Sequence, residues 1–438
     1  MASEWQKVRF GEIYDIPSRN GLTKPKNIRG HGVKFINMGE VFAHDRIFNV
    51  LCDRVPITSK EKETSLLANN DLLFARQSLV LSGAGKCSIF LGDQETVAFE
   101  SHLIRVRINN KLACPLFLFY LFKSSIGRSL IWNITEQGAG QSGIRGSDLE
   151  NITFKLPLLK EQKAIAHILG SLDDKIELNR QMNATLEAMA QALFKSWFVD
   201  FDPVLDNALA AGNPIPDELQ SKAAARLAVG DARKPLPAEI QALFPSSFIL
   251  TEEMGWIPEG WEDLNLSSLL EIKYGKDHKA LNEGTIPVYG SGGLMRYVDS
   301  ALFSGESILI PRKGTLSNLM YVNETFWTVD TMFYSVPKLE NTAKFLFYFL
   351  KTFDFNSMNV GSAVPSMTTK VLNELKVIKP SAVILEAFEK YLSTLFQKNK
   401  NLQNENKYLT NLRDTLLPKL LSGELRIPDA ENLAAEVL

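Results

Sequence analysis

Residues 161–198 read EQKAIAHILGSLDDKIELNRQMNATLEAMAQALFKSWF, and their apolar spacing indicates one long helix. From Ile165 onward, the positions on one face recur at alternating steps of four and three residues. That spacing is typical of the seam of a coiled coil. An amphipathic helix that lies on its own globule is the alternative that the pattern leaves open.

A second copy of this pattern lies near the C-terminus. Residues 138–198 align without gaps on residues 361–421, at a constant shift of 223. Phe117-Leu-Phe-Tyr120 recurs as Phe345-Leu-Phe-Tyr348, and Trp5 and Trp261 stand at the start of the two copies. The common order of these matches predicts a tandem duplication.

The predicted seam includes a polar position in each copy. Asn183 and Asn406 occupy equivalent seam positions, and a buried asparagine costs stability unless it is paired, so it selects one partner and register. The predicted seam and partner-binding residues are Ile165, Leu169, Leu172, Ile176, Asn183, Leu186, Leu193, Leu392, Leu395, Leu402, Asn406, Leu409 and Leu416.

The rest of each copy predicts a mixed globule. Short apolar runs punctuated by Gly, Asn and Pro indicate strands and turns, and a helix is expected near 115–124. The fold class is therefore α+β, with two mixed α/β globules related by duplication and separated by two long helices. The predicted segments are globule 1 (1–156), a long helix (157–199), a surface connector with a short Ala-rich helix (200–260), globule 2 (261–379), a second long helix (380–424) and a tail (425–438).

Charge is distributed unevenly along the 438 residues. The net charge of -2 argues against a dedicated nucleic-acid binder, for which a pI above ~9 is expected. Globule 1, however, carries 20 basic and 15 acidic residues, whereas residues 157–260 carry 9 basic and 15 acidic ones. Globule 2 is balanced and residues 380–438 carry a net charge of -1. An acidic middle segment thus hides a basic globule.

Two stretches of globule 1 are basic and free of acids, between Asp15 and Glu40 and between Glu100 and Glu136. They suit contacts with DNA phosphates, or else form a solvated face. Arg76 and Arg312 end matching strand-like runs, where a DNA contact and a structural ion pair are both open interpretations. The candidate DNA-binding residues are Arg19, Lys24, Lys26, Arg29, Lys34, Arg76, Lys86, Arg105, Arg145, Lys276, Lys279, Arg312 and Lys313.

No catalytic motif stands out in the sequence. Gly83-Ala-Gly-Lys-Cys87 lacks both the leading glycine and the Ser/Thr of a phosphate-binding loop. The five histidines are scattered, and the three cysteines have no C-x-x-C spacing, which predicts free thiols and no metal site. We expect a non-catalytic protein without a cofactor. The apolar runs are too short for a membrane span and the N-terminus lacks a signal peptide, so a cytoplasmic location is expected.

Three motifs, two that close the predicted long helices and one that opens the second copy, resemble the specificity subunit of type I restriction–modification systems. They are Trp197-Phe-Val-Asp-Phe-Asp-Pro203, Gly255-Trp-Ile-Pro-Glu-Gly-Trp261 and Leu416-Leu-Pro-Lys-Leu-Leu-Ser-Gly-Glu424. The resemblance covers nearly the whole chain. It implies that the globules are target recognition domains, each reading one half of a split DNA sequence, and that the two helices pack antiparallel as a spacer.

The resemblance also implies partners. Two modification methyltransferase subunits, which bring S-adenosylmethionine, would dock on the helices, and motor-nuclease subunits would join for restriction. The second helix departs from the first, because Ile384-Leu385 replace Glu161-Gln162 and the two docking surfaces are expected to differ. A coiled-coil scaffold that binds protein and a stand-alone DNA-binding regulator remain the alternatives.

Overall fold

The structure, a computed structural model, describes residues 5–138, 141–230, 235–358 and 366–437. Gly361, where the second copy of the gap-free repeat begins, lies outside these residues. The chain divides into two compact units: unit 1 is Met1–Arg180 with Gln403–Leu438, and unit 2 is Gln181–Leu402. Each unit therefore contains one globule and one half of each long helix.

Unit 1 contains a mixed five-stranded sheet in the order β2-β10-β6-β8-β4, in which β4 and β8 are parallel and the other neighbours antiparallel. Smaller sheets have the orders β5-β3-β9, β11-β12-β7 and β1-β13. The strands are β1 (Gln6–Arg9), β2 (Tyr14–Asn20), β3 (Val33–Ile36), β4 (Arg46–Ile47), β5 (Asp53–Val55), β6 (Leu72–Ala75), β7 (Gln77–Ser78), β8 (Cys87–Phe90), β9 (Val97–Phe99), β10 (Leu103–Ile108), β11 (Glu136–Gly138), β12 (Gln141–Gly143) and β13 (Thr153–Leu156).

The core of unit 1 forms around one very apolar helix. The helices of globule 1 are α1 (Met38–Ala43), α2 (Ser59–Ser65), α3 (Pro115–Lys123), α4 (Ser125–Asn133) and α5 (Gly146–Asn151). Proline suits the first turn of α3, where its missing N–H costs no hydrogen bond. The Phe117 and Phe122 side chains of α3 are buried with Phe10 and Phe74, so α3 joins the five-stranded sheet to the long helix.

Unit 2 contains a six-stranded sheet in the order β17-β22-β20-β21-β18-β19, flanked by the pairs β14-β15 and β16-β23. Its strands are β14 (Phe248–Thr251), β15 (Gly255–Pro258), β16 (Glu262–Asn265), β17 (Leu270–Tyr274), β18 (Ile286–Gly290), β19 (Gly293–Val298), β20 (Phe303–Pro311), β21 (Met320–Thr328), β22 (Met332–Pro337) and β23 (Lys376–Lys379). The helices of unit 2 are α7 (Asp202–Ala211), α8 (Gln220–Val229), α9 (Ala238–Gln241), α10 (Leu266–Leu269), α11 (Ala343–Lys351) and α12 (Thr369–Asn373). The long helices α6 (Leu159–Phe194) and α13 (Ala382–Ser422) each contribute to both units, and α14 (Ile427–Ala435) belongs to unit 1.

The duplication is visible in the strand pairing. In unit 1, Val8 of β1 faces Phe154 of β13, and in unit 2, Leu264 of β16 faces Val377 of β23. These pairs are related by the same shifts, 256 and 223 residues, that align the two copies of the sequence. Each globule thus closes its first strand against its last strand, immediately before its long helix. The mixed α+β class and the two-globule organisation are confirmed by this architecture.

The two long helices run antiparallel within each unit. In unit 1, Asp173 of α6 contacts Arg413 of α13, and Asn179 contacts Asn406. In unit 2, Phe194 of α6 packs on Phe388 of α13. A short π-helical turn, Lys195–Val199, continues α6. The apolar face of the long helices therefore serves both as a seam between the helices and as a surface that lies on a globule. Each half-helix packs on the other long helix and on the globule of its unit.

The connector is more than a surface linker. The Ala-rich helix expected at 218–229 is present as α8 with a preceding 3-10 turn, Asp217–Leu219. Phe201, Val204 and Phe244 are nevertheless buried in the core of unit 2, where Phe244 packs edge-on against Trp197. The large aromatic side chains draw the connector into the core, since burying them removes much apolar surface from water. Among the described residues, no helix is both long and apolar enough to cross a bilayer.

Candidate nucleic-acid interface

Three of the predicted DNA-binding residues form ion pairs within globule 1. Lys34 is 8% exposed and its ammonium lies 2.9 Å from a carboxylate oxygen of buried Asp93. Lys24 pairs with Glu61 at 2.9 Å and Arg29 with Asp53 at 2.8 Å. Because these charges are neutralised by carboxylates of the chain itself, they act as structural ion pairs in this structure. The basic appearance of the stretch before Glu40 overstates the charge that it offers to DNA.

Arg19 and Lys26 differ from these three residues. Both side chains are exposed, and neither makes an ion pair with any residue that the structure describes. Arg19 stands near the end of β2 and Lys26 in a 3-10 turn of the following loop. Their charges are therefore available to a phosphate.

Arg105 was predicted as a surface contact, but only 4% of it is exposed. One terminal nitrogen donates a hydrogen bond to the carbonyl of Pro17 at 3.3 Å, and its Nε has no partner among the described residues. Burial lowers the pKa of Arg105, and the nearby positive charges of Arg107 and Arg19 lower it further. Arg105, Arg107 and Arg19 share the wall of a 440 Å³ cavity, in which Arg107 is bound to Asp71 at 2.7 Å.

Lys86 also has internal partners. Its ammonium donates a hydrogen bond to the carbonyl of Phe42 at 2.8 Å and lies 3.2 Å from Asp45, which also binds Lys123 at 2.7 Å. Burial would raise the pKa of Asp45, but the two ammonium groups outweigh it and hold that pKa below the ordinary aspartate value. Lys86 therefore contributes a structural ion pair.

A more open group surrounds Arg76. Arg76 and Arg145 line a 240 Å³ cavity at the small sheet of β7, β11 and β12. Arg145 pairs with Glu136 at 2.7 Å, with both side chains exposed, whereas Arg76 makes no side-chain hydrogen bond or ion pair with any described residue. The same cavity is lined by amide and hydroxyl side chains that sequence reasoning did not single out, although they flank the two arginines in the sequence: Gln77, Gln137, Gln141 and Ser142.

Globule 2 places its basic candidates near one another. The Arg312 guanidinium stacks on Tyr274 with 5.2 Å to the ring centroid, and one of its nitrogens donates to the carbonyl of Asp330 at 3.3 Å. Lys276 and Lys279 follow Tyr274 in the loop after β17, and Lys313 follows Arg312. These three lysines are exposed and make no ion pair within the described ranges. Because Arg312 is held by a ring and a carbonyl, its charge is not neutralised by a carboxylate.

The predicted seam residues lie inside the units. Ile165, Leu169, Leu172 and Ile176 are buried in the core of unit 1 with Leu409 and Leu416, and Leu392 is buried in unit 2. Leu186 and Leu402 are also buried, whereas Leu193, Leu395, Asn183 and Asn406 are half-buried. The buried members of this set pack within the chain's own cores, and the assignment of the set to partner binding stays a prediction. The apolar side chains that the two helices leave exposed are Leu178, Met189, Val383, Tyr391 and Tyr408.

The departure between the two helices also has an internal role. Gln162 is 1% exposed, accepts a hydrogen bond from the backbone N–H of Cys114 and donates one to the carbonyl of Pro157. Its equivalent Leu385 is buried in the apolar core of unit 2. The exchange of glutamine for leucine therefore changes the packing of each helix on its globule. A difference between the two docking surfaces stays a prediction. Across the described ranges, no three His, Cys, Asp or Glu side chains gather in a group that could hold a metal ion.

Comparison with known proteins finds similarity to specificity subunits of type I restriction enzymes. A family model described as the type I restriction modification DNA specificity domain matches residues 2–188 and 258–411. The type I restriction enzyme HindI specificity subunit of Haemophilus influenzae is 27% identical, over 97% of this chain and 100% of its own. The MjaIX specificity subunit of Methanocaldococcus jannaschii is 26% identical, over 72% of this chain and 69% of its own.

The fold has a counterpart among solved structures. The S subunit of a type I restriction–modification system from M. genitalium superimposes with a TM-score of 0.52 at 18% identity, covering 95% of this chain and 96% of that one. This likeness concerns the fold alone.

Proposed function

The chain belongs to the type I restriction modification DNA specificity domain family, and on that basis we propose that it reads a split DNA target through its two globules. Each matched stretch covers one globule and most of the long helix that follows it. Two similar recognition modules in one chain suit a target in two parts, because each module contacts its own half-site. The repeated strand pairing, Val8 with Phe154 and Leu264 with Val377, is the observation that carries this proposal.

We further propose that the chain positions catalytic partners and performs no chemistry itself. Modification methyltransferase subunits, two per chain, would bring S-adenosylmethionine and act on an adenine flipped out of the duplex, since base chemistry requires extrusion from the stack. Restriction motor-nuclease subunits would join the same complex. The exposed apolar residues of the long helices, such as Met189 and Tyr408, supply surface for such docking. A DNA target places this work in the cytoplasm.

The distribution of charge supports a division of labour between subunits. Several of the basic side chains of globule 1 are neutralised internally, so this globule offers fewer free cations to the phosphates than its sequence suggests. Phosphate contacts supply a large share of the affinity of DNA-binding proteins but carry no sequence information directly, whereas contacts with base edges contribute specificity. The methyltransferase subunits would therefore make many of the contacts with DNA phosphates, and this chain would mainly determine which sequence is bound.

Co-purification with the methyltransferase of its own system tests the proposal. DNA methylated by the complex is mapped for modified bases, and one split sequence with a constant gap is the expected result. The salt dependence of DNA affinity is measured in parallel, because phosphate neutralisation gives a steep loss of affinity with salt. Methylation without any sequence preference, or a complex that does not retain DNA, would contradict the proposal.

A further inference from the structure

Arg76 and Arg312 are held by the same backbone arrangement in the two units. In unit 1, the N–H of Arg76 donates to the carbonyl of His102 at 2.8 Å, and its carbonyl accepts from Ile144 at 2.9 Å. In unit 2, the N–H of Arg312 donates to the carbonyl of Thr331 at 2.9 Å, and its carbonyl accepts from Met367 at 2.9 Å.

The two pairs of backbone hydrogen bonds are related by the duplication. Ile144 and Met367 differ by 223 residues, the shift that aligns the long helices, and each arginine directly follows a central strand, β6 or β20. A residue fixed on both sides by neighbouring chain segments projects its side chain from a rigid base. Such rigidity is what precise recognition requires.

Neither guanidinium group has a carboxylate partner among the described residues, whereas most other arginines of globule 1 do. Arg29, Arg54 and Arg107 are bound to Asp53, Glu95 and Asp71. Arg76, in contrast, makes no side-chain hydrogen bond or ion pair with any described residue, and Arg312 rests on the ring of Tyr274. Stacking on an aromatic face orients the guanidinium fork while its charge and its remaining donors stay available.

The surroundings of both arginines suit a DNA groove. Beside Arg76 lie the amides of Gln77, Gln137 and Gln141, and the following loop exposes Leu79 and Val80 by 87% and 60%.

In the loop that follows Arg312, the side-chain amide of Asn318 donates a hydrogen bond to the carbonyl of Ser291. Ser291 stands in the turn of the β18–β19 hairpin, which exposes Leu294 and Met295. Amide side chains read base edges, and exposed apolar side chains contact bases or enter between them.

We propose that Arg76 and Arg312 are specificity-determining residues that read base edges, one in each half of the split target. The inference rests on the proposed function and deepens it. Guanine is the base that fits best, because its O6 and N7 accept two parallel hydrogen bonds from one guanidinium fork. The two arginines are equivalent in position but belong to different units, so each acts on its own half-site.

The experiment uses the full chain in complex with its methyltransferase. Four variants are prepared, Arg76→Ala, Arg76→Lys, Arg312→Ala and Arg312→Lys, together with Arg54→Lys as a control for an exposed, ion-paired arginine of globule 1. Binding is measured by competition against DNA libraries in which one half-site at a time is randomised. The lysine variants keep the charge but lose the fork, and they guard against misfolding of the alanine variants.

Each Arg76 variant is expected to lose about tenfold to a hundredfold discrimination at one base pair of one half-site, while the other half-site stays as in the wild type. The Arg312 variants are expected to show the converse loss, and Arg54→Lys no change. Unchanged base preferences in the Arg76 and Arg312 variants, or a uniform loss of affinity for every sequence, would overturn the inference. A wild-type complex that shows no sequence preference would instead overturn the proposed function.

Discussion

The side-chain amide of Asn179 in α6 donates a hydrogen bond to the side-chain carbonyl of Asn406 in α13, at 3.0 Å. Asn406 in turn donates to the backbone carbonyl of Ile176 at 3.3 Å. The repeat explains why this pair occurs once. The shift of 223 residues carries Asn406 onto Asn183 and Asn179 onto Leu402, so the equivalent position in unit 2 has no second amide. The Oδ1 of Asn183 accordingly has no hydrogen-bond partner among the described residues.

Replacing Asn179 should destabilise the helix pair. Asn179→Leu leaves the carbonyl of Asn406 without its donor, which costs about 1–3 kcal/mol of unfolding free energy for a buried polar group. The double variant Asn179→Leu/Asn406→Leu should lose less than the sum of the single losses, because both polar groups are then removed together. Urea unfolding of the purified chain measures these differences. Asn183→Leu is the matched control, and a loss as large as that of Asn179→Leu would refute this account.

The contact between Asp173 and Arg413 should be more sensitive. Asp173 is 8% exposed and accepts bonds from Tyr120 at 2.6 Å and from Arg413 at 2.6 Å. Asp173→Ala removes the buried carboxylate from Arg413 and leaves it only the exposed carboxylate of Asp414, at 2.7 Å, so the loss should approach the ~3–5 kcal/mol typical of a broken buried pair. Tyr120→Phe removes only one hydrogen bond and should cost about 0.5–1.5 kcal/mol. Equal losses for the two variants in thermal unfolding would contradict the role assigned to the ion pair.

Lys26 and Lys34 should behave in opposite ways, although both lie in the same basic stretch. Lys26→Ala removes a free cation, so it should leave the unfolding free energy unchanged. If Lys26 contacts a phosphate, it should also reduce the salt slope of DNA affinity by about one. Lys34→Ala leaves buried Asp93 unpaired and should destabilise globule 1 by several kcal/mol. Thermal unfolding and salt titration of both variants separate the two effects. A stable Lys34→Ala variant with a reduced salt slope would show that Lys34 contacts DNA after all.

Unit 2 should lose stability in acid through Glu187. Burial alone would raise the pKa of Glu187, but bonds from Lys351, Gln191 and Tyr348 hold it below the ordinary glutamate value. A carboxylate with a lowered pKa stabilises the folded state above the pKa of the unfolded chain, and this contribution disappears as the pH falls through the lower, folded-state pKa. Glu187→Gln should therefore reduce stability near neutral pH and flatten its decline below about pH 4.5. If urea unfolding shows the same decline in stability at acid pH for the variant as for the wild type, the assignment is disproved.

The exposed apolar residues of the long helices should matter for assembly and not for folding. Met189 is 53% exposed on α6, and Met189→Glu places a charge there without disturbing the core. If methyltransferase subunits dock on this face, the variant should co-purify with less methyltransferase, while its thermal unfolding stays as in the wild type. Ala184→Glu, a change at an exposed position on another side of the same helix, is the control. Full co-purification of the Met189→Glu complex would exclude this face as a docking site.

Much of the architecture could be predicted because it depends on local pattern. The long helices extend from Leu159 to Phe194 and from Ala382 to Ser422, inside the predicted segments 157–199 and 380–424. The helix expected at 115–124 is present as Pro115–Lys123. Apolar periodicity and helix-start residues act over a few turns, so a sequence displays them directly.

The functional surface was harder to predict, because charge neutralisation depends on distant residues. Lys34 and Asp93 are 59 positions apart, and Arg107 and Asp71 are 36 apart. Lys34 and Arg107 both lie in basic stretches free of acids, and the sequence gives no sign that a carboxylate lies beside each of them in the fold. The DNA-binding assignments of the remaining residues, among them Arg19, Arg76 and Lys276, stay predictions.

The sequence by itself determined the duplication, the two long helices and the mixed class of the globules, because repetition and periodicity are properties of the chain. Only the tertiary structure decided which polar groups are satisfied and which stay free. It paired Asn406 with Asn179, and it left the Arg76 side chain without a partner among the described residues while Lys34 was buried against Asp93. The physical reason is that a hydrogen bond or an ion pair requires two groups within about 3 Å, and the path of the backbone through space, not the spacing in the sequence, brings them there.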